Sequence, residues 1–154
     1  MVNVPPPFIP GAFVGAEHHY RARVYFEDTD LSGIVYHANY LRYMERARSD
    51  MLRIAGIDQR AAMEAGEGSW AVIDLTIKYR SPARLDDDLL VVSTVEAVRG
   101  ASVIISQRIL RGQDELTNGR VTAAFLSPEG RPRRQPAGWA DRFTAIMNGE
   151  NFPC

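Results

Sequence analysis

Cysteine is all but missing: the 154 residues include one, Cys154, at the last position. A single thiol forms no intrachain disulfide and no cysteine-based zinc site, which suits a reducing compartment. A thiol at a chain end is also a poor nucleophile, because ends are seldom held in one geometry. Histidine is nearly as sparse, at His18, His19 and His37. No His-Glu-x-x-His joins them, so no metal site is expected. No run approaches the roughly 20 apolar residues of a membrane-spanning helix. No basic segment leads into an apolar run near Met1, so a secretory signal is not expected and the cytoplasm is. Charge of one sign is lacking as well. A formal net charge of −1 argues against a surface that grips nucleic acid all over. There is no P-loop, no Gly-rich dinucleotide turn and no Gly-x-Ser-x-Gly, and no cofactor is expected.

What is present is an ordinary globular balance, 45% hydrophobic and 24% charged. The length suits one domain with a full core. Residues 1–16, rich in Pro, Gly and Ala, are expected to form a flexible leader; residues 17–148 the single domain; residues 149–154 a tail. From His19 to Glu27 residues alternate, with Tyr20, Ala22, Val24 and Phe26 on one side, which predicts a half-buried strand. Tyr40, Met44, Ala47, Met51 and Ile54 then step by four and three, the signature of one helix face. Asn39 is placed to cap that helix and Gly56 to follow its end. Asp58 would cap a short second helix running to Ala65. Period two returns from Trp70 to Arg80, with Ala71, Ile73, Leu75, Ile77 and Tyr79 on one face. Leu89–Val98, Ser102–Arg111 and Glu115–Leu126 predict three more strands, and the four read as an antiparallel meander. Ala137–Met147 is weakly helical. A helix with one apolar stripe beside alternating strands implies an α+β fold on one antiparallel sheet.

Three carboxylates crowd the segment Glu27-Asp28-Thr29-Asp30-Leu31-Ser32-Gly33 ahead of the long helix. A solvated turn would use the same residue types. A calcium loop would need a bidentate Glu where Asn39 stands. The third reading is a catalytic acid or base beside a helix N-terminus, whose free N–H groups stabilise an oxyanion. Acyl transfer needs that combination. His37 lies just before the helix, where capping or packing would also account for it. His18 and His19 are expected to be exposed. Arg131, Arg133 and Arg134 form a basic stretch after the last strand. They suit a solvated tail or the phosphates of a CoA group.

Arg23-Val-Tyr-Phe-Glu-Asp-Thr-Asp30, Gly33-Ile-Val-Tyr-His-Ala-Asn-Tyr40 and Glu45-Arg-Ala-Arg48 resemble the Tol-Pal-associated acyl-CoA thioesterases. That family belongs to the 4-hydroxybenzoyl-CoA thioesterase class of hotdog folds. Tyr79-Arg-Ser-Pro-Ala-Arg-Leu-Asp-Asp87 is similar to the family's second-strand exit, and the resemblance spans roughly Tyr20 to Leu126. It implies a long helix wrapped by a curved antiparallel sheet, and homodimers or homotetramers with active sites between subunits. It implies acyl-CoA as substrate, with acyl carrier protein thioesters or non-catalytic acyl-CoA binding as alternatives. It implies Asp30 as nucleophile or general base and the His37 backbone N–H as oxyanion donor. Gly33, Ile34, Val35, Tyr36 and Asn39 would then line the substrate site. Phe26 stands where many relatives carry a second tyrosine, and Ser32 is given no role.

Overall fold

The computed structural model describes residues 1–3, 11–150 and 152. Strands β1 (Ala12–Val14), β2 (Glu17–Arg23), β3 (Ser69–Tyr79), β4 (Asp88–Val98), β5 (Ser102–Arg111) and β6 (Asp114–Leu126) form one sheet. All neighbours are antiparallel, in the order β1-β2-β4-β5-β6-β3. Helices α1 (Asn39–Ile54), α2 (Gln59–Glu64) and α3 (Trp139–Met147) complete the fold. The expected α+β hotdog architecture, one long helix against a curved antiparallel sheet, is therefore present.

Helix α1 buries Tyr40, Met44, Ala47 and Met51, as the spacing predicts, together with Tyr43, Asp50 and Leu52. It stops in a Schellman turn. Gly56, at φ +79°, donates to Arg53 O, and Ile57 donates to Leu52 O at 2.8 Å. Asp58 caps α2 by accepting from Ala61 N at 2.9 Å. Around the N-terminal half of α1 lie Val24, Val35, Leu89, Val91, Ile109, Leu116 and Val121. Around its C-terminal half lie Ile57, Val95, Ile105, Phe125, Trp139 and Phe143.

Between the two clusters runs a polar row. In register across four strands stand His18, Ser93, Gln107 and Gly119. Gln107 is fully buried; its Nε2 donates to Ser93 Oγ and to Met44 O, both at 2.9 Å. Arg48 donates to its Oε1 at 2.8 Å. Gly119 leaves room for the Met44 side chain, whose Cε would lie 2.6 Å from a Cβ there and would have to move aside.

The fold differs from expectation in several places. Ala12–Val14, expected in the flexible leader, pair with β2 as an edge strand; residues 4–10 of that leader, and 151, 153 and 154 of the tail, lie outside the described residues. The first long strand ends at Arg23, and Phe26 sits in a single 3-10 turn (Phe26–Asp28), 81% exposed. The four later strands are not one meander: β4, β5 and β6 are, but β3 pairs with β6 at the far edge. A bulge at Ile73 also shifts β3's alternation, because Val72 pairs with Ala123 and Asp74 with Thr122. Trp70 and Val72, rather than Ala71 and Ile73, thus share a face with Leu75, Ile77 and Tyr79. Finally, His18 is fully buried instead of exposed.

Candidate active site

The segment joining β2 to α1 folds into a hairpin of its own. Thr29 and Val35 form a bridge, Asp30 N donates to Ile34 O at 2.9 Å, and Gly33 N donates to Asp30 O at 3.0 Å. Gly33 turns the chain at φ +82°, a conformation that carries no penalty without a Cβ. Two ties dock this hairpin onto the connection between β3 and β4. Val35 N donates to Ala83 O at 2.9 Å, and Ile34 bridges to Arg84. Tyr36 N and Asn39 Nδ2 both donate to Asp28 O at 2.9 Å. Asn39 is therefore the first residue of α1, not its cap. Its amide is turned back to hold the acidic segment, while Ala38 occupies the cap position with no side-chain hydrogen bond.

These ties bring Asp30 beside the start of α1. Asp30, Ile34, Val35, His37, Tyr40, Tyr79 and the stretch Arg80–Pro82 line a hollow of about 350 Å³. Among the described residues the His37 backbone N–H meets no backbone acceptor. It lies one residue before the cap of α1, next to the positive end of the helix. The Asp30 carboxylate is open to solvent. The Ser32 hydroxyl, followed by the Ser32 N–H, holds it below its ordinary pKa of 3.8, and the nearby His37 ring adds a smaller pull.

Tyr79 closes one wall. Its hydroxyl donates to the His37 carbonyl at 2.7 Å, and its ring meets those of His37 and Tyr40 edge-on at 6.4 and 5.4 Å. Burial raises its phenol pKa. Tyr40 accepts from Ala83 N at 2.9 Å and is raised chiefly by burial too. The helix spacing marks Tyr40 only as a core residue, and period two marks Tyr79 only as a strand residue. Neither pattern tells that their hydroxyls organise this corner.

Of the other residues assigned from sequence, Ile34 and Val35 line the hollow and Gly33 makes the turn. Tyr36 sets its ring 4.4 Å from that of His37, tilted by 53°, but lies outside the hollow. Arg131 and Arg133 stand elsewhere. They follow β6 beside the start of β3, since Leu126 bridges to Pro132 and pairs with Ser69. Tyr79 ends that strand, so at 3.3 Å per residue they are roughly 30 Å from the hollow along β3. The Arg133 guanidinium donates to Gly66 O and Glu67 O, fastening the end of α2. No helix is long and apolar enough to cross a membrane among the described residues.

Residues 32–118 match the model of the Thioesterase superfamily, a stretch that includes His37 and begins two residues after Asp30. The chain is 40% identical over 116 residues to acyl-CoA thioester hydrolase YbgC of Escherichia coli O6:H1, covering 74% of this chain and 86% of that protein. It is 40% identical over 104 residues to acyl-CoA thioesterase YbgC of Haemophilus influenzae, covering 68% and 76%. The crystal structure of a probable thioesterase from Bartonella henselae superposes with a TM-score of 0.74 at 36% identity, covering 78% of this chain and 99% of that one. The match over residues 32–118 and relatives at 40% identity, carried on this sheet and helix, make the chain a member of the thioesterase superfamily.

Proposed function

We propose that the protein hydrolyses acyl-CoA thioesters to the free acid and CoA, with Asp30 as the catalytic carboxylate. The observation that carries this reading is the hollow shared by Asp30 and His37, whose N–H meets no backbone acceptor among the described residues. The thioester carbonyl oxygen accepts from that N–H. Asp30 supplies the attacking oxygen, its own or that of a water it deprotonates. The tetrahedral intermediate then collapses, the C–S bond breaks, and CoA leaves as a thiolate; where Asp30's own oxygen attacked, water then cleaves the acyl–aspartyl anhydride to release the acid and restore the carboxylate. Thiols have pKa values near 8.5, so the leaving group needs little help. One preorganised oxyanion donor contributes about 3 kcal/mol.

The working site lies between two copies of the chain, in the cytoplasm. Two features support a homodimer, or a tetramer built from dimers. The free edge of β3 carries exposed Val72, Ile73 and Leu75, and an unprotected apolar edge invites a second strand. The Asp30 carboxylate is open to water in the single chain, whereas charge stabilisation works best in a water-excluded site. Antiparallel pairing of two β3 edges would bring the start of one β3 to the end of the other. Arg131 of one copy would then approach the neighbour's hollow, where its guanidinium suits the phosphates of CoA.

The test is thiol release from a panel of acyl-CoA esters by wild type, Asp30→Asn and His37→Ala, with matched acyl carrier protein thioesters alongside. Asp30→Asn should lose at least about a thousandfold in kcat, while His37→Ala keeps most activity because the donor is backbone. Hydrolysis confined to carrier-protein esters would move the substrate class. No hydrolysis of any ester would overturn the reading.

A further inference from the structure

We propose that Ser32 is a positioning residue: it holds one oxygen of the Asp30 carboxylate in a fixed direction and leaves the other to react. The proposal rests on the reading of Asp30 as the catalytic carboxylate. The Ser32 N–H donates to Asp30 Oδ1 at 2.8 Å, and the Ser32 hydroxyl donates to the same oxygen. Among the described residues Ser32 makes both close hydrogen bonds to this carboxylate, and the Ile34 N–H adds only a weaker pull. The Asp30 backbone is pinned on both sides, through its N–H to Ile34 O and through its carbonyl to Gly33 N. The freedom that remains is rotation of an exposed carboxylate, and the Ser32 pair removes it.

A turn alone would account for the N–H contact, since Asp side chains commonly accept from the backbone two residues on. The hydroxyl is what the turn does not require. It places a second donor on the same oxygen, so the negative charge is drawn toward Oδ1 and the lone pairs left free to act are those of Oδ2. Donors to the charged form also lower basicity, so Ser32 keeps Asp30 ionised further into acid.

Ser32→Ala keeps the N–H and removes the hydroxyl; Ser32→Thr keeps both. In Ser32→Ala the acid limb of kcat/KM should move to higher pH. Its kcat should fall on the order of tenfold, the scale of one charge-assisted hydrogen bond, with KM within about twofold. Ser32→Thr should restore the limb and the rate. The Asp30 carboxyl titration, followed by carbon-13 NMR in substrate-free protein, should move the same way in Ser32→Ala and return in Ser32→Thr. That titration needs no turnover. If wild type hydrolyses no ester, the catalytic reading fails while the Ser32–Asp30 coupling is still decided. Titration and pH–rate curves of Ser32→Ala that superimpose on wild type would overturn the proposal, as would a loss that Ser32→Thr does not rescue.

Discussion

His18 and His19 are adjacent in the chain and end in opposite surroundings. Alternation along β2 turns His19 toward Glu17 at the surface, 3.1 Å away, and His18 inward. There its Nε2 lies 2.7 Å from Asp50 Oδ2, and Gly11 N donates to the same oxygen at 2.9 Å. Gly11 must lack a side chain, because a Cβ would sit 2.3 Å from His19 O. Among the described residues His18 Nδ1 is buried without a partner. Burial lowers the His18 pKa from 6.5, against an upward pull from Asp50, and His19 adds a smaller downward push. The folded protein thus releases a proton that the unfolded chain keeps. That contribution to stability is complete above pH 6.5 and is lost as pH falls through the lower folded value. Urea unfolding of wild type from pH 8 to pH 5 should show this slope, and His18→Gln should flatten it. A slope unchanged in His18→Gln would assign it to other groups. Asp30 and His37 are legible in the sequence because one short segment carries both. His18 and Asp50 are not, because each is a lone polar residue whose partner lies on a distant element.

At the scale of elements, β3 departs furthest from expectation. Its residues alternate well enough to predict a strand, and a strand forms. Alternation is silent about which neighbour a strand takes and about an inserted residue. The bulge at Ile73 regroups Val72 with Leu75, and with Leu41 and Val121 they border a hollow of about 210 Å³ between α1 and the open edge. Helix α1 is the opposite case. Its apolar step, its glycine stop and its burial agree, because a helix face is set by local spacing, whereas a strand's partner is set by the whole chain. If the β3 edge is the contact between copies, Leu75→Glu puts a charge into that contact. Sedimentation should show wild type as a dimer or tetramer and Leu75→Glu as a monomer. Its thiol release should fall by at least about tenfold while its circular dichroism holds. A variant that stays associated would place the contact elsewhere.

For the whole molecule, the family and the hotdog architecture are readable from sequence, and the strand order is what three dimensions add. That order has a consequence for how the chain is made. Strand β3 is synthesised before β4 and β5, yet among the described residues it pairs with β6: Ser69 waits for Leu126, and Tyr79 for Thr117. Strand β2 waits likewise for β4. Contacts this far apart in sequence close slowly, and unpaired apolar strands are prone to wrong partners meanwhile. Nascent chains stalled with Arg111 just clear of the ribosome should be digested throughout by a protease. Chains stalled with Leu126 clear should keep β3 and α1 intact. The growing polypeptide therefore carries the bare edges of β3 from the synthesis of Tyr79 to that of Leu126, and neighbouring ribosomes on one message would hold many such edges close together.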